Sequence, residues 1–170
     1  MKLDPELHQA LSEQITLEFS ASMVYRQLAI EMDVADLPGI ASWFRAQAHE
    51  EIVHANKFID HVCDRNGTPK IGAIEAPQIK ANSVLACFQA AYAHEQRVSQ
   101  AIRELYLLAE KAGDLDSRPI LQWFINEQLE EEATVRAIIG RVQLINGDGP
   151  GLLRLDEELG QRTSANTRTS

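Results

Sequence analysis

The chain has 170 residues, 45% of them apolar and 24% charged, which is enough to bury one core without disulfide staples. A formal charge of −9 argues against nucleic acid and favours cationic partners. No apolar run approaches the roughly 20 residues of a membrane span, and no basic-then-apolar leader precedes the first helical pattern, so no membrane is expected and the expected compartment is cytoplasmic.

Four long helical patterns follow in order. The first opens at Asp4-Pro5, a capping residue followed by proline at the first helical position, and runs to about Asp33. Asp36-Leu37-Pro38-Gly39 opens a second, which runs to about Asp64. A third begins near Asn82-Ser83 and fades at Ala112-Gly113; a fourth begins around Ser117-Arg118-Pro119 and stops at Asn146-Gly147. After the Gly149-Pro150-Gly151 break, an amphipathic stretch at about 152–159 reads as a short fifth helix. One domain is expected over 1–160, with a polar tail at 161–170 that has no apolar anchor and should be mobile.

The joints carry the topology. Those between helices one and two and between helices three and four are short, so each pair should form an antiparallel hairpin. Residues 65–82 are different, because Gly67, Pro69, Gly72 and Pro77 forbid a continuing helix. A helix of about 28 residues is roughly 42 Å long. About 18 extended residues reach at most roughly 60 Å, so this segment can cross the bundle's full length and set helices two and three parallel. Cys63 and Cys87 would then lie at opposite ends and could not pair; they also share no CxxC spacing.

Each helix has an inward seam when traced in steps of three and four. Helix one reads Leu7, Leu11, Gln14, Glu18, Ser22, Tyr25, and helix two reads Ile40, Phe44, Gln47, Glu51, His54, Phe58, Val62. Helix three reads Val84, Phe88, Ala91, Glu95, Val98, Ile102, Leu105. Helix four reads Leu121, Phe124, Gln128, Glu131, Val135, Ile138, Val142, Ile145. Every seam is apolar and is broken near its middle by a carboxylate. The predicted topology brings the four midpoints to one level, so Glu18, Glu51, His54, Glu95 and Glu131 should converge in the core.

Carboxylates gathered at low dielectric repel one another and lose hydration, at a cost of several kcal/mol per ion, unless protons or a cation intervene. Four carboxylates and one imidazole, with no thiolate, suit a pair of hard cations; histidine is too scarce for an ordinary zinc site. Iron fits, because anionic oxygen donors favour the ferric state. A single Glu-x-x-His is usually a solvated helix face, but four seams interrupted at matching depth, with no Lys or Arg in their central turns, are not.

These residues resemble the motifs of bacterial non-haem ferritins. The resemblance rests on Glu18 and Tyr25, on His49-Glu50-Glu51-Ile52-Val53-His54, on His94-Glu95, and on Trp123 with Glu127-Gln128-Leu129-Glu130-Glu131, and it spans nearly the whole chain. It implies an all-α, ferritin-like four-helix bundle with one long crossover and a short fifth helix. It also implies a ferroxidase and iron-storage subunit in a homo-oligomeric cage of 24 subunits, oxidising Fe(II) with dioxygen or hydrogen peroxide. Glu18 and His54 would bind the first iron, Glu51 would bridge, and Glu95 and Glu131 would bind the second, with Gln128 alongside. A third iron site would draw on Glu50, Glu127, Glu130 and Glu131. Tyr25 or Trp123 would donate an electron, although either could be an ordinary core or near-core aromatic.

Departures from relatives sharpen the reading. Ile52 stands where the similar bacterioferritins carry a haem-ligating methionine, so no haem is expected. Helix four carries Gln128 and Glu131 rather than a second Glu-x-x-His, which should hold the second iron less permanently. A di-metal oxidase of the same fold that retains its metals, and a scaffold with vestigial acids, are the alternatives. His8, His49, His61 and His94 lie off the inward seams and read as surface residues or as groups behind the ligands.

Overall fold

A computed structural model describes residues 3–79 and 81–161; most of the polar tail falls outside them. All regular structure among the described residues is helical: α1 Pro5–Val34, α2 Pro38–Asp64, α3 Val84–Lys111, α4 Arg118–Ile145 and α5 Gly149–Gly160. None of these helices is long and apolar enough to cross a membrane.

Local chemistry sets the boundaries. The Asp4 carboxylate accepts the free N–H groups of Glu6 and Leu7 at 2.9 and 3.3 Å, and Pro5 has no N–H to satisfy. Beyond the end of α1, Asp36 takes a left-handed φ of 59° directly before the residues that open α2. Ser83 caps α3 by accepting from Ala86 N–H at 3.1 Å. Before α4, one Asp114 oxygen accepts from Asp116 and Ser117 N–H. Asn146 and Gly147 end that helix at φ 45° and 83°.

Two apolar clusters define the ends of the bundle. One joins Leu7, Leu11 and Ile15 of α1 to Phe58 and Val62 of α2, Ile102 and Leu105 of α3, and Leu121 and Phe124 of α4. The other joins Tyr25 and Leu28 to Ile40 and Phe44, Cys87 and Phe88, and Val135 and Ile138. The start of α1 therefore meets the end of α2, and the start of α2 meets the start of α3. Both hairpins are antiparallel, and α2 and α3 run parallel. The crossover climbs along α1, with Lys70 N–H on Ser12 Oγ and Gly72 N–H on Thr16 Oγ1 at 3.4 and 2.8 Å. This contact helps to cover Ser12, which lies off the inward seam of α1. Cys87 is buried in one cluster, whereas Cys63 follows Val62 at the opposite end; both are free thiols.

The fifth helix is longer than its sequence pattern. Gly149-Pro150-Gly151 forms its first turn rather than a break, because Asp148 accepts from Gly151 N–H at 2.8 Å and Pro150 occupies a position that needs no donor. It packs mainly on α2. Its Asp156 accepts from Ile40 N–H at 2.7 Å, and so caps a helix that lacks a side-chain cap of its own. Gly39 permits this approach: a Cβ there would stand 1.9 Å from the Asp156 carbonyl oxygen.

Candidate metal centre

Between the two apolar clusters lies a polar layer that every long helix enters at mid-length. Glu18 and Glu95 are 0% exposed, Glu51 and His54 2%, and Glu131 5%. Each sits where the three-four seam of its helix passes from one cluster to the other. The predicted seams are buried throughout, apart from Val84 and the α4 residues Val142 and Ile145, which are half-buried at the bundle's end.

Glu18, Glu51 and His54 each offer a ligand atom, and the three atoms lie within 4.8 Å of one another. His54 Nδ1 is 3.1 Å from Glu51 Oε2, as their three-residue spacing allows. Glu95 accepts the Tyr25 phenol proton on Oε1 and a Gln128 amide proton on Oε2, the latter at 3.0 Å. Glu131 Oε2 accepts from Gln47 at 3.1 Å, and Glu18 Oε1 accepts from Gln14 at 2.7 Å. Glu18 Oε2, although buried, has no hydrogen-bond partner.

The electrostatics match this crowding. Burial, then the Glu51 charge, pushes the Glu18 carboxyl well above its ordinary range. Burial, then the charges of Glu95 and Glu131, does the same to Glu51, which thus feels each of the other three carboxylates. Burial also raises Glu95, against the pull of the Tyr25 and Gln128 hydrogen bonds. Burial, then Glu95, holds the Tyr25 proton well beyond its usual range, so the phenol stays a donor. Neutralising such a layer takes protons or cations: Glu18 and Glu51 are close enough to share a proton, and the Glu18 oxygen without a hydrogen-bond partner is open to a cation. The donors are carboxylate oxygens and one imidazole, a set that fits iron.

A second group abuts the first: ligand atoms of Glu50, His54 and Glu127 also lie within 4.8 Å of one another. Burial raises the Glu127 carboxyl, and the charges of Glu50 and Glu130 add to it against His54 and Lys57. Glu130 itself is exposed and stands outside this trio, whereas the resemblance pairs Glu50 and Glu127 with Glu130 and Glu131. Trp123 stands edge-on to His54 with ring centres 5.7 Å apart, and the Lys57 ammonium lies 4.4 Å from the Trp123 ring centre.

Three features escaped the sequence reading. Gln14 and Gln47 hold carboxylates of the layer; the signal was a glutamine one turn before each seam glutamate on α1 and α2. A chain from Glu132 through Ser99 to Gln128 braces the hydrogen bonds on Glu95. His94 is 2% exposed, with Nδ1 accepting from Arg97 at 3.0 Å; burial, then the Arg97 charge, lowers its pKa to about 4. His61 is half-buried against Ser117, His8 is half-buried, and His49 is exposed.

Known proteins share this organisation. The ferritin-like domain model matches residues 8–145. A bacterial non-heme ferritin from Escherichia coli O6:H1 is 34% identical over 157 residues, covering 92% of this chain and 95% of that protein. One from Staphylococcus aureus is 32% identical over 161 residues, covering 95% and 97%. Among solved structures, an open pore ferritin from the hyperthermophilic archaeon Archaeoglobus fulgidus matches at a TM-score of 0.93 and 36% identity, over 95% of this chain and all of that one. The fold, the domain match and these relatives agree over most of the chain, and the chain belongs to the ferritin family.

Proposed function

We propose that this chain is an iron-storage ferritin subunit that oxidises Fe(II) to Fe(III) in the carboxylate layer and delivers it to a ferric oxyhydroxide mineral. The observation that carries this reading is the buried trio of Glu18, Glu51 and His54, set among further carboxylates with one Glu18 oxygen unpartnered. Fe(II) is the substrate. Glu18 and His54 hold one ion, Glu51 bridges, and Glu95 and Glu131 hold the second. Each ferrous ion gives one electron, and dioxygen takes the pair with two protons to leave as hydrogen peroxide, itself a second oxidant. Tyr25 and Gln128 fix the Glu95 carboxylate; Gln47 steadies Glu131. Glu50, Glu127 and Glu130, with Glu131, form a third site on the way out. Ile52 stands where the similar bacterioferritins carry a haem-ligating methionine, so this reading includes no haem.

A bundle of 19.0 kDa has no interior for a mineral, so storage requires a shell, which we assign 24 identical subunits in the cytoplasm. Val34, Leu144 and Leu153 are 78%, 87% and 64% exposed, which supports their burial between copies. The deciding experiment adds Fe(II) to apoprotein in air and follows ferric absorbance and particle size together. Rapid oxidation of far more than two irons per chain inside a particle of several hundred kilodaltons is expected. Saturation at two per chain in a small oligomer would establish a metal-retaining oxidase instead, and no catalysed oxidation would reject both.

A further inference from the structure

A cavity of about 260 Å³ opens between α1 and α3, outside the carboxylate layer. Its walls are largely apolar, from Leu17, Leu105 and Leu108, but Glu13 of α1 and Glu104 of α3 both line it. Each of these exposed carboxylates already accepts from a glutamine one turn earlier on its own helix, Gln9 at 2.9 Å and Gln100 at 2.8 Å. The remaining polar wall is Gln14, only 3% exposed, whose amide donates to Glu18 Oε1. One helical turn, roughly 6 Å, separates Gln14 from Glu18 along the axis. One side chain therefore both lines the cavity and holds the carboxylate whose other oxygen is buried without a partner.

We propose that the α1–α3 cavity is the vestibule through which divalent cations, Fe(II) among them, reach the carboxylate layer; the inference rests on the metal-site reading above. Glu13 and Glu104 attract the hydrated ion to the opening, where two carboxylates on facing helices concentrate cations. The apolar walls give the ion nothing to stop on. Gln14 is the movable partition: rotation of its amide away from Glu18 frees Oε1 and gives the arriving ion a complete carboxylate. Glu18 is then the first ligand met, which accounts for its being the layer member linked to this wall.

The test uses assembled apoprotein and Co(II), which binds without being oxidised by the protein's own reaction and is followed anaerobically by its visible absorbance in stopped flow. The Glu13→Gln/Glu104→Gln double variant should load about tenfold more slowly at low ionic strength, with the difference shrinking as salt is added. Ala101 of α3 also lines the cavity, and Ala101→Phe, which fills it without removing a charge, should also load more slowly and show no such salt dependence. The final Co(II) stoichiometry should match wild type in both. Wild-type loading rates in both variants would overturn the vestibule. So would an Ala101→Phe protein that loads Co(II) normally but needs more dioxygen for half-maximal Fe(II) oxidation, since the cavity would then serve the gas. Failure of the underlying reading looks different: wild-type protein would itself take up no Co(II) in the layer, and the vestibule would fall with it.

Discussion

Glu95 shows how single residues determine the chemistry of the layer. Its two oxygens face two donors from different helices, the Tyr25 phenol on α1 and the Gln128 amide on α4. Gln128 also contacts Ser99, which in turn donates to Glu132. A ligand carboxylate fixed in this way presents its remaining lone pairs in one direction, whereas a free one must be ordered on binding. Gln128→Leu keeps the bulk but removes the donor. It should lower the Fe(II) oxidation rate about tenfold to a hundredfold, the range found when groups supporting metal ligands are removed. Glu95→Ala should cost at least as much, while light scattering shows an intact shell. Oxidation kinetics at saturating iron decide it: an unchanged Gln128→Leu rate would mean that Glu95 needs no orientation. The buried glutamates of the layer were legible in the sequence because each interrupts an apolar seam. Gln128 was expected beside the second site, but the partners of Gln14, Gln47 and Gln128 were not legible, since a buried glutamine one turn from a seam glutamate is compatible with several partners and only packing chooses Glu18, Glu131 or Glu95. His94, read as a surface residue or a group behind the ligands, is buried one residue off the seam with Arg97 on its ring.

At the scale of elements, the hairpins and the crossover could be read from proline and glycine placement, whereas the start of α5 could not. Glycine and proline stop helices in general, but at a first turn they are tolerated, and Asp148 turns the same tripeptide into a beginning. The function of α5 as a cap for α2 is also invisible in sequence, since Asp156 acts 116 residues away from Ile40. Asp156→Ala should cost about 1 kcal/mol, the usual loss of a capping carboxylate, measured by thermal unfolding of the metal-free protein. A change below the error of that measurement would show that solvent caps α2 equally well. At the opposite end, Arg65 pairs with Asp114 at 2.9 Å, with the two side chains 9% and 2% exposed. Burial raises the Asp114 carboxyl, but the Arg65 hydrogen bonds and the Ser117 N–H outweigh it and leave the group below its ordinary range. A pKa depressed in the folded state contributes stability above the unfolded value, about 3.9, and loses it as pH falls through the folded value. Asp114→Asn should therefore cost about 2 kcal/mol at neutral pH and flatten the acid limb of Tm against pH below about 4. Parallel acid limbs in the two proteins would remove Asp114 from that account.

For the whole molecule, the layer between the two apolar clusters opposes folding when no cation is present. Glu18, Glu51 and Glu95 all have carboxyls raised by burial, and mutual repulsion adds to this at Glu18 and Glu51. A pKa raised in the folded state contributes stability that is fully present below the unfolded value and is lost as pH rises through the folded one. At neutral pH these three groups thus lower the stability of the metal-free bundle, the opposite sign to Asp114. A cation that binds only the folded state reverses that loss by mass action, by about 2.7 kcal/mol per site at a hundredfold excess over Kd. For a chain of this size that corresponds to a rise of roughly 5–10 °C in Tm. Co(II) at pH 7 should produce such a rise, and a chelator should abolish it. Glu18→Gln separates the two effects, because it removes one charge and one ligand together. It should raise the Tm of the metal-free protein while shrinking the Co(II) increment. A lower metal-free Tm in Glu18→Gln with the full Co(II) increment retained would mean that Glu18 stabilises the bundle as a structural acid and binds no metal. The expected crossing, more stable without metal and less responsive to it, would show that the layer gives up apoprotein stability in order to hold cations.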